Sequence, residues 1–309
     1  ADMLGVASID EGVDLRQAKI NCDILVLGAV PVWAVETAVN ADLIISIFSK
    51  EHLEACKQVY KRTGKRPKVH VKLDTGMNRI GISADDAIEF INEVRQADYL
   101  EFGGIFTHLA NAEIREKTLI QIEKWNSVIS NIDTTGLTLH ILNTAGAMCY
   151  DVPNSNMRRA GIALYGLYPD LPDSGIIYKP DLKPVMSLKA RIVNIHEAKD
   201  GEGVSYGHTY KAKGTRKIAT IPLGYADGVP RGLSNKIFAT LNDKEIKQIG
   251  NITMDQMMFD ITDVDANLGD VITLLDENHS IDEWAKILGT INYELTCRLK
   301  VRLPRVYTR

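Results

Sequence analysis

Lys72 and Arg79 bracket Asp74-Thr75-Gly76, which interrupts a run where Val69, Val71 and Leu73 alternate with other residues. A period of two marks a strand packed on one face, and the turn residues mark its end. Two cations at such an end point to an anionic ligand, because α/β folds gather ligand-binding groups where strands give way to helices. The same Lys-Asp-Arg set would equally close a loop by pairing within itself, and this stretch alone leaves both readings open. Other strand ends add His108, the pair Asn143-Thr144, and Arg158-Arg159-Ala160-Gly161-Ile162. Glycine lets a backbone come close to a ligand, so N–H groups near Gly161 can hold a phosphate, with Thr144 adding a hydroxyl. Taken singly, Arg158 and Arg159 are better explained by pairing with surface carboxylates. Several strand ends converging on one mouth favour a ligand site.

Other candidates carry plain alternatives. His108 alone would serve as a capping or core histidine. Tyr206, in Val204-Ser-Tyr-Gly-His-Thr-Tyr210, would serve as a strand aromatic. Tyr225, in Gly224-Tyr-Ala-Asp-Gly228, sits in a turn, and Met254-Asp255-Gln256 reads as a β-bulge.

The elements that must position these residues alternate regularly. Strands are expected at Leu4–Ser8, Asp23–Gly28, Leu43–Ile47, Val69–Leu73, Phe102–Thr107, Thr138–Leu142 and Arg159–Tyr165. Helical spacing follows at 11–20, 32–40 (opened by Pro31), 50–61, 84–97 and 116–129, with a short helix to Tyr150. Strand–helix alternation without hairpin signals means right-handed parallel crossovers. The expected fold class is α/β, a (β/α)8-type barrel lacking its first β/α unit and followed by a mainly antiparallel β domain. The domains are expected at 1–178 and 179–309, joined through a Pro-rich linker at 169–184. In the second, strands are expected at 185–196, 217–222, 236–241, 252–261, 271–275 and 291–303, with one helix at 281–288 and turns at Lys199-Asp-Gly201 and Asn242-Asp243.

Bulk properties narrow the classes. A chain of 309 residues, 45% hydrophobic and 25% charged, has ordinary globular composition. A net charge of −4 leaves no footprint for nucleic acid or an anionic membrane. The basic run Lys61–Lys68 suits a helix C-terminus. Four scattered cysteines without a CxxC pair argue against a zinc cluster or disulfide scaffold and fit a reducing cytoplasm. No metal site is expected. The apolar run 24–35 is too short to span a bilayer, and no signal peptide is visible.

Eight ordered segments together resemble the alanine racemase family. They are Lys72-Leu-Asp-Thr-Gly-Met-Asn-Arg79, Phe106-Thr-His108, Asn143-Thr144, Arg159-Ala-Gly-Ile-Ala-Leu-Tyr-Gly166, Ser205-Tyr-Gly207, Gly224-Tyr-Ala-Asp-Gly228, Met254-Asp-Gln256 and Ile291-Asn-Tyr293. The resemblance implies a pyridoxal-phosphate (PLP) enzyme that interconverts L- and D-alanine for peptidoglycan precursors. It also implies a head-to-tail homodimer whose active sites use both subunits. Asn143 and Thr144, the backbone of Gly161 and Ile162, and Tyr293 would hold the cofactor, chiefly its phosphate. Arg79 would contact cofactor and substrate, Lys72 would stand as a carbamate orienting Arg79, and His108 would pack on the pyridine ring. Arg159 would face the pyridine nitrogen. A guanidinium is effectively never deprotonated, so it donates a hydrogen bond without handing over its proton and leaves the ring a weaker electron sink. That choice argues against the decarboxylases sharing the barrel.

Tyr206 would be the catalytic base. A free tyrosine titrates near ~10 and needs cationic help to act as one. Tyr225, Met254 and Asp255 would line the substrate site. The family's cofactor lysine lies in a segment resembling Lys-Ala-Asn-Ala-Tyr-Gly-His-Gly, which has no match here. The expectation is therefore an N-terminally truncated member left with one base, Tyr206, and no lysine anchor for the cofactor. A serine racemase on the same fold and a non-catalytic PLP- or phosphate-binding protein are the alternatives.

Overall fold

The computed structural model describes residues 1–171, 175–299 and 302–308. Residues 172–174 of the expected linker and residues 300–301 of the expected last strand lie outside the described residues. The chain divides into two units, Ala1–Gly161 with Leu171–Pro180, and Ile162–Asp170 with Asp181–Arg309.

The first unit alternates strand and helix: β1 (Met3–Val6), α1 (Ile9–Gln17), β2 (Asp23–Val26), α2 (Val35–Asn40), β3 (Ile44–Ile47), α3 (Lys50–Thr63) and β4 (Lys68–Asp74). It continues with β5 (Ile82–Ser83), α4 (Ala84–Gln96), β6 (Glu101–Phe106), α5 (Arg115–Ile129), β7 (Thr138–His140) and α6 (Thr144–Cys149). The sheet runs β1-β2-β3-β4-β6-β7, all parallel, with β5 attached to β4. The parallel sheet curls as a half-barrel, with helices against its outer face and side chains packed inside the curl, so its strands bury every position: Ile44–Ile47 and 69–73 are buried throughout. Local chemistry starts the helices where polar caps stand. The Ser8 and Ser83 hydroxyls accept from the Glu11 and Asp86 amides, and Gly64, at φ 71°, ends α3. The basic run pairs locally, Arg62 with Glu36 and Lys68 with Asp42.

The strand expected at Arg159–Tyr165 is absent. The chain makes one parallel bridge, Leu142 with Arg158, and then a 3-10 turn at Ile162–Tyr165. The Arg159 side chain folds back onto strand-end carbonyls, and the backbone leaves the sheet with it. After Pro31 the chain makes a 3-10 turn, Val32–Ala34, before α2 begins.

The second unit holds β8 (Leu188–Arg191), β9 (Asn194–Ala198), β10 (Gly203–Val204), β11 (Tyr210–Lys211), β12 (Arg216–Ile221), β13 (Phe238–Leu241), β14 (Lys244–Ile249), β15 (Met257–Asp260), β16 (Val271–Leu275), α7 (Ile281–Leu288) and α8 (Asn292–Arg298). Its antiparallel sheet runs β8-β16-β13-β14-β15-β12-β9, over a core containing Ile221, Leu241, Phe259, Ile272 and Trp284.

The single strand expected at 185–196 is two, which pair with opposite ends of the sheet order. Ile192 N–H donates to Asp270 O and Val193 N–H to Thr220 O, so the ladder changes partner between them. The turn at Asn242-Asp243, with φ of 49° and 61°, is followed by β14, a strand the alternation did not reveal. Residues 252–256 form a turn and not a strand or bulge, because the Thr253 hydroxyl accepts from the Gln256 amide. The strand expected at 291–303 is α8, where Glu294 and Arg298 pair one turn apart and only Asn292 and Leu295 are buried. Among the described residues no helix is long and apolar enough to cross a membrane.

Candidate active site

Asp74 at the end of β4 resolves the ambiguity of the Lys-Asp-Arg cluster. Its Oδ1 accepts from the amides of Gly76 (2.8 Å), Met77 (2.9 Å) and Asn78 (3.1 Å), winding the loop that presents Arg79. Burial pushes this carboxyl up, but the surrounding amides outweigh it and hold it below its ordinary value. Asp74 Oδ1 thus serves the loop backbone, while the carboxylate stays charged. Among the described residues neither Lys72 nor Arg79 forms an ion pair.

Lys72 is buried in β4, opposite Phe106 of β6, with Nζ 4.6 Å from the ring centroid. Burial first, then the charges of Arg159 and Arg79, bring its ammonium down to about 7, while Asp74 opposes weakly. The Phe106 ring stacks on His140 at 4.7 Å and also lies 5.8 Å from the Arg159 guanidinium carbon. An aromatic face thus stands where a carboxylate would be expected.

Arg159 reaches back beneath the strand ends. Nη1 donates to His140 O (2.9 Å) and His140 Nδ1 (3.0 Å), and Nη2 to Thr107 O (2.8 Å) and Ile141 O (3.1 Å). Burial lowers its pKa only to about 10, so it stays charged. A guanidinium only donates, so His140 Nδ1 accepts, and His140 Nε2–H is left to donate to His70 Nδ1 at 3.0 Å. Burial, with Arg159, His70 and Lys72 nearby, keeps His140 well below its ordinary value. The seat for His70 is made by glycine. A Cβ on Gly104 would lie 2.7 Å from His70 Cε1 and 2.5 Å from Thr138 O. His108, half-buried, faces Arg159 Nη2 at 3.5 Å, and burial together with Arg159, Lys72 and Arg79 pushes it down to about 3.

Asn143 caps α6 by accepting from the Gly146 amide (2.9 Å), so its carbonyl oxygen is engaged in the fold. Thr144 Oγ1 accepts from Gly161 N–H at 2.9 Å. A Cβ on Gly161 would meet a single atom, Thr144 Oγ1, at 3.9 Å, so this glycine faces open space. Ile162 begins the next turn with its side chain in the core of the second unit.

In the second unit Tyr206 is 75% exposed, on a turn held by Asn251 Nδ2 donating to Tyr206 O (2.6 Å). Tyr206, Thr253 and Gln256 line one open groove of about 990 Å³. Tyr225 lies on a neighbouring 3-10 turn whose amide donates to Thr253 O (3.0 Å). Arg302 bridges Asp227 (2.6 Å) and Asp255 (2.7 Å), tying that turn to Met254-Asp255. Tyr293, 40% exposed, stands in the first turn of α8.

Gly224 is required at this junction, since a Cβ would fall 2.3 Å from Thr253 O and 2.4 Å from Met254 O. Gly224→Ala is expected to destabilise the chain by about 1–3 kcal/mol through backbone displacement, read as a lower urea midpoint at unchanged slope.

Lys72, Arg79, His108 and Arg159 thus form one electrostatic group, and Thr144 with Gly161 a second, both on the first unit. Tyr206, Tyr225, Met254, Asp255 and Tyr293 are carried by the second. Sequence reasoning passed over His70, His140 and Gln121, which read as strand or helix filler. The one signal was Gly103-Gly104, a pair that makes room for something large.

The comparisons agree from end to end. A family model described as alanine racemase, N-terminal domain, matches residues 1–169, and one described as alanine racemase, C-terminal domain, matches 185–307. The alanine racemase of Methanococcus maripaludis is 36% identical over 320 residues, covering 99% of this chain and 84% of that protein. That of Desulfovibrio desulfuricans is 39% identical over 315 residues, with the same coverage. Among solved structures, the alanine racemase of Clostridium difficile 630 superposes with a TM-score of 0.92 at 36% identity, covering 100% of this chain and 82% of that one. The enzyme from E. faecalis superposes with a TM-score of 0.91 at 32% identity, covering 98% and 83%. With both domain models in order and this identity over nearly its whole length, the chain belongs to the alanine racemase family.

Proposed function

We propose that this protein interconverts L- and D-alanine with PLP as cofactor. The observation that carries the reading is charge. Lys72, Arg79 and Arg159 all act on His108, and the single carboxylate of Asp74 opposes them without balancing them, which leaves a net cationic site that suits an anion. A cofactor phosphate and a substrate carboxylate have the charge it lacks. The donor set fits the cofactor: the Thr144 hydroxyl, which accepts from the Gly161 amide, keeps its own proton to donate to the phosphate, and the open face of Gly161 admits it.

When bound, PLP supplies an aldehyde for the substrate amine and a ring that withdraws electrons from Cα. The chain's own residues do the rest. Arg159, charged and backed by the neutral His140, donates toward the ring nitrogen without releasing a proton. His108, neutral throughout the physiological range, packs beside the ring. Lys72, with its amine half neutral near pH 7, is able to add CO2, lose a proton and stand as a carbamate anion that orients Arg79. Tyr206 moves the proton at Cα. Its exposure on a groove fits delivery to a second copy of the chain, as in a head-to-tail homodimer, with Tyr225, Met254 and Asp255 completing the substrate site. Four unpaired cysteines fit a reducing cytoplasm.

The test is D-alanine formation from L-alanine with added PLP, in this chain and in the same chain preceded by a relative's lysine-bearing segment. Tyr206→Phe is expected to lower the rate on the order of 10²-fold or more, since only the hydroxyl is removed. Rates on serine measure the substrate preference. Borohydride reduction and peptide mapping locate any lysine adduct. A PLP-loaded protein that leaves L-alanine untouched would sink the proposal.

A further inference from the structure

Gln121 projects from α5 and is 5% exposed, yet no part of the proposed chemistry uses it. Its amide makes three hydrogen bonds. Oε1 accepts from Ala110 N–H (2.8 Å), while Nε2 donates to His108 O (3.2 Å) and to Thr75 Oγ1 (3.2 Å). The backbone partners dictate this orientation. Flipping the amide would set donor against donor at Ala110 and acceptor against acceptor at His108.

The direction then propagates. Thr75 Oγ1 gives its one proton to Thr107 Oγ1 (3.0 Å), and Thr107 gives its own to Leu73 O (3.0 Å), a carbonyl that can only accept. Thr75 and Thr107 are each 1% exposed, so no water competes. Thr107 O in turn accepts from Arg159 Nη2. The space is closed as well, since a Cβ on Gly76 would lie 3.5 Å from Gln121 Cγ. One helix side chain therefore joins the loop after β4, which leads to Arg79, to the loop after β6, which carries His108.

We infer that Gln121 is a positioning residue that locks these two loops into one piece, and so sets where His108 and Arg79 stand relative to Arg159. The inference rests on the proposed function, which gives those three residues their roles. A purely space-filling glutamine would predict loss of stability alone. The lock predicts loss of rate through geometry, because displacements of about 1 Å cost on the order of 10²-fold.

Two variants separate the bonds. Gln121→Glu keeps the acceptor for Ala110 and removes both donations. Gln121→Met keeps the volume and removes all three. In the chain bearing the added lysine segment, kcat is expected to fall about 10–100-fold in both, with KM changed less than about threefold. Amide exchange gives a readout that needs neither cofactor nor turnover. The Ala110 amide stays protected in the parent and in Gln121→Glu and exchanges about tenfold faster or more in Gln121→Met, while the His108 ring resonances move in both. The lock is overturned if both variants keep kcat within twofold of the parent, or if Ala110 stays protected in Gln121→Met. A parent that never racemises alanine while the exchange and ring shifts follow this pattern overturns the proposed function and supports the lock.

Discussion

Arg159→Ala is expected to destabilise the chain by about 3 kcal/mol, because the guanidinium satisfies several buried acceptors at once. Removing it leaves Thr107 O, Ile141 O and His140 Nδ1 without that donor, while His140 O keeps the Thr107 amide. An orphaned buried acceptor costs about 1–3 kcal/mol, and water entering the vacated space offsets part of the sum. His140 is also released to change tautomer, which frees the hydrogen bond to His70 from its fixed direction. Arg159→Lys keeps the charge but replaces a planar fork by a point donor, so it should recover only part of the loss. Urea denaturation of the chain without cofactor measures both. An Arg159→Ala midpoint equal to the parent's would show that these bonds add nothing. In turnover both variants are expected to be impaired, since under the proposed function neither presents the same donor toward the cofactor ring.

Lys72→Met carries the opposite sign. The folded amine titrates at about 7, against an ordinary value of 10.5, because it is buried beside two arginines. Between these two values the unfolded chain binds a proton that the folded chain does not, so stability rises with pH through that window. Below about pH 7 the lysine is charged in both states and its whole penalty is present. Methionine, of similar length and uncharged, removes that penalty. The variant is expected to be more stable than the parent at pH 6 by on the order of 3–5 kcal/mol, with the advantage shrinking as pH rises toward 10. Denaturation midpoints at stepped pH, in CO2-free buffer, test this. Equal or lower stability at pH 6 would remove the case for a strained lysine. The same variant should racemise poorly, since a methionine has no nitrogen to carry a carbamate. A residue kept at a cost in stability is the signature of a functional site.

The alternation of apolar runs and helical spacing made the first unit legible, because parallel strands buried on both faces leave long apolar signals bounded by turns. The strands of β1 to β4, β6 and β7 stand within a few residues of the expected positions. The failures have separate causes. At Arg159–Tyr165 an apolar run resembled a strand, but contacts of Arg159 with carbonyls of the β6 and β7 ends turn the chain away. At 291–303 a short mixed run gave no period strong enough to separate strand from helix, and α8 is set by the Glu294–Arg298 pair and the burial of Leu295. Strand β14 was missed because its alternation, with Ile246, Gln248 and Ile249 buried, includes a buried glutamine.

By itself the sequence singled out the residues proposed to carry the chemistry: Lys72, Arg79, His108, Thr144, Arg159 and Tyr206 stand at breaks between periodic segments, and their order matched one family. Those are local properties, set by side-chain type and spacing along the chain. Only the tertiary structure decided what their neighbours are. Asp74 Oδ1 binds amides, Lys72 lies on an aromatic ring with no ion pair among the described residues, and Gln121, forty-six residues beyond Thr75, bonds to it. Charge state, tautomer and hydrogen-bond direction depend on burial and on atoms brought close from distant parts of the chain, and neither is written in any local pattern.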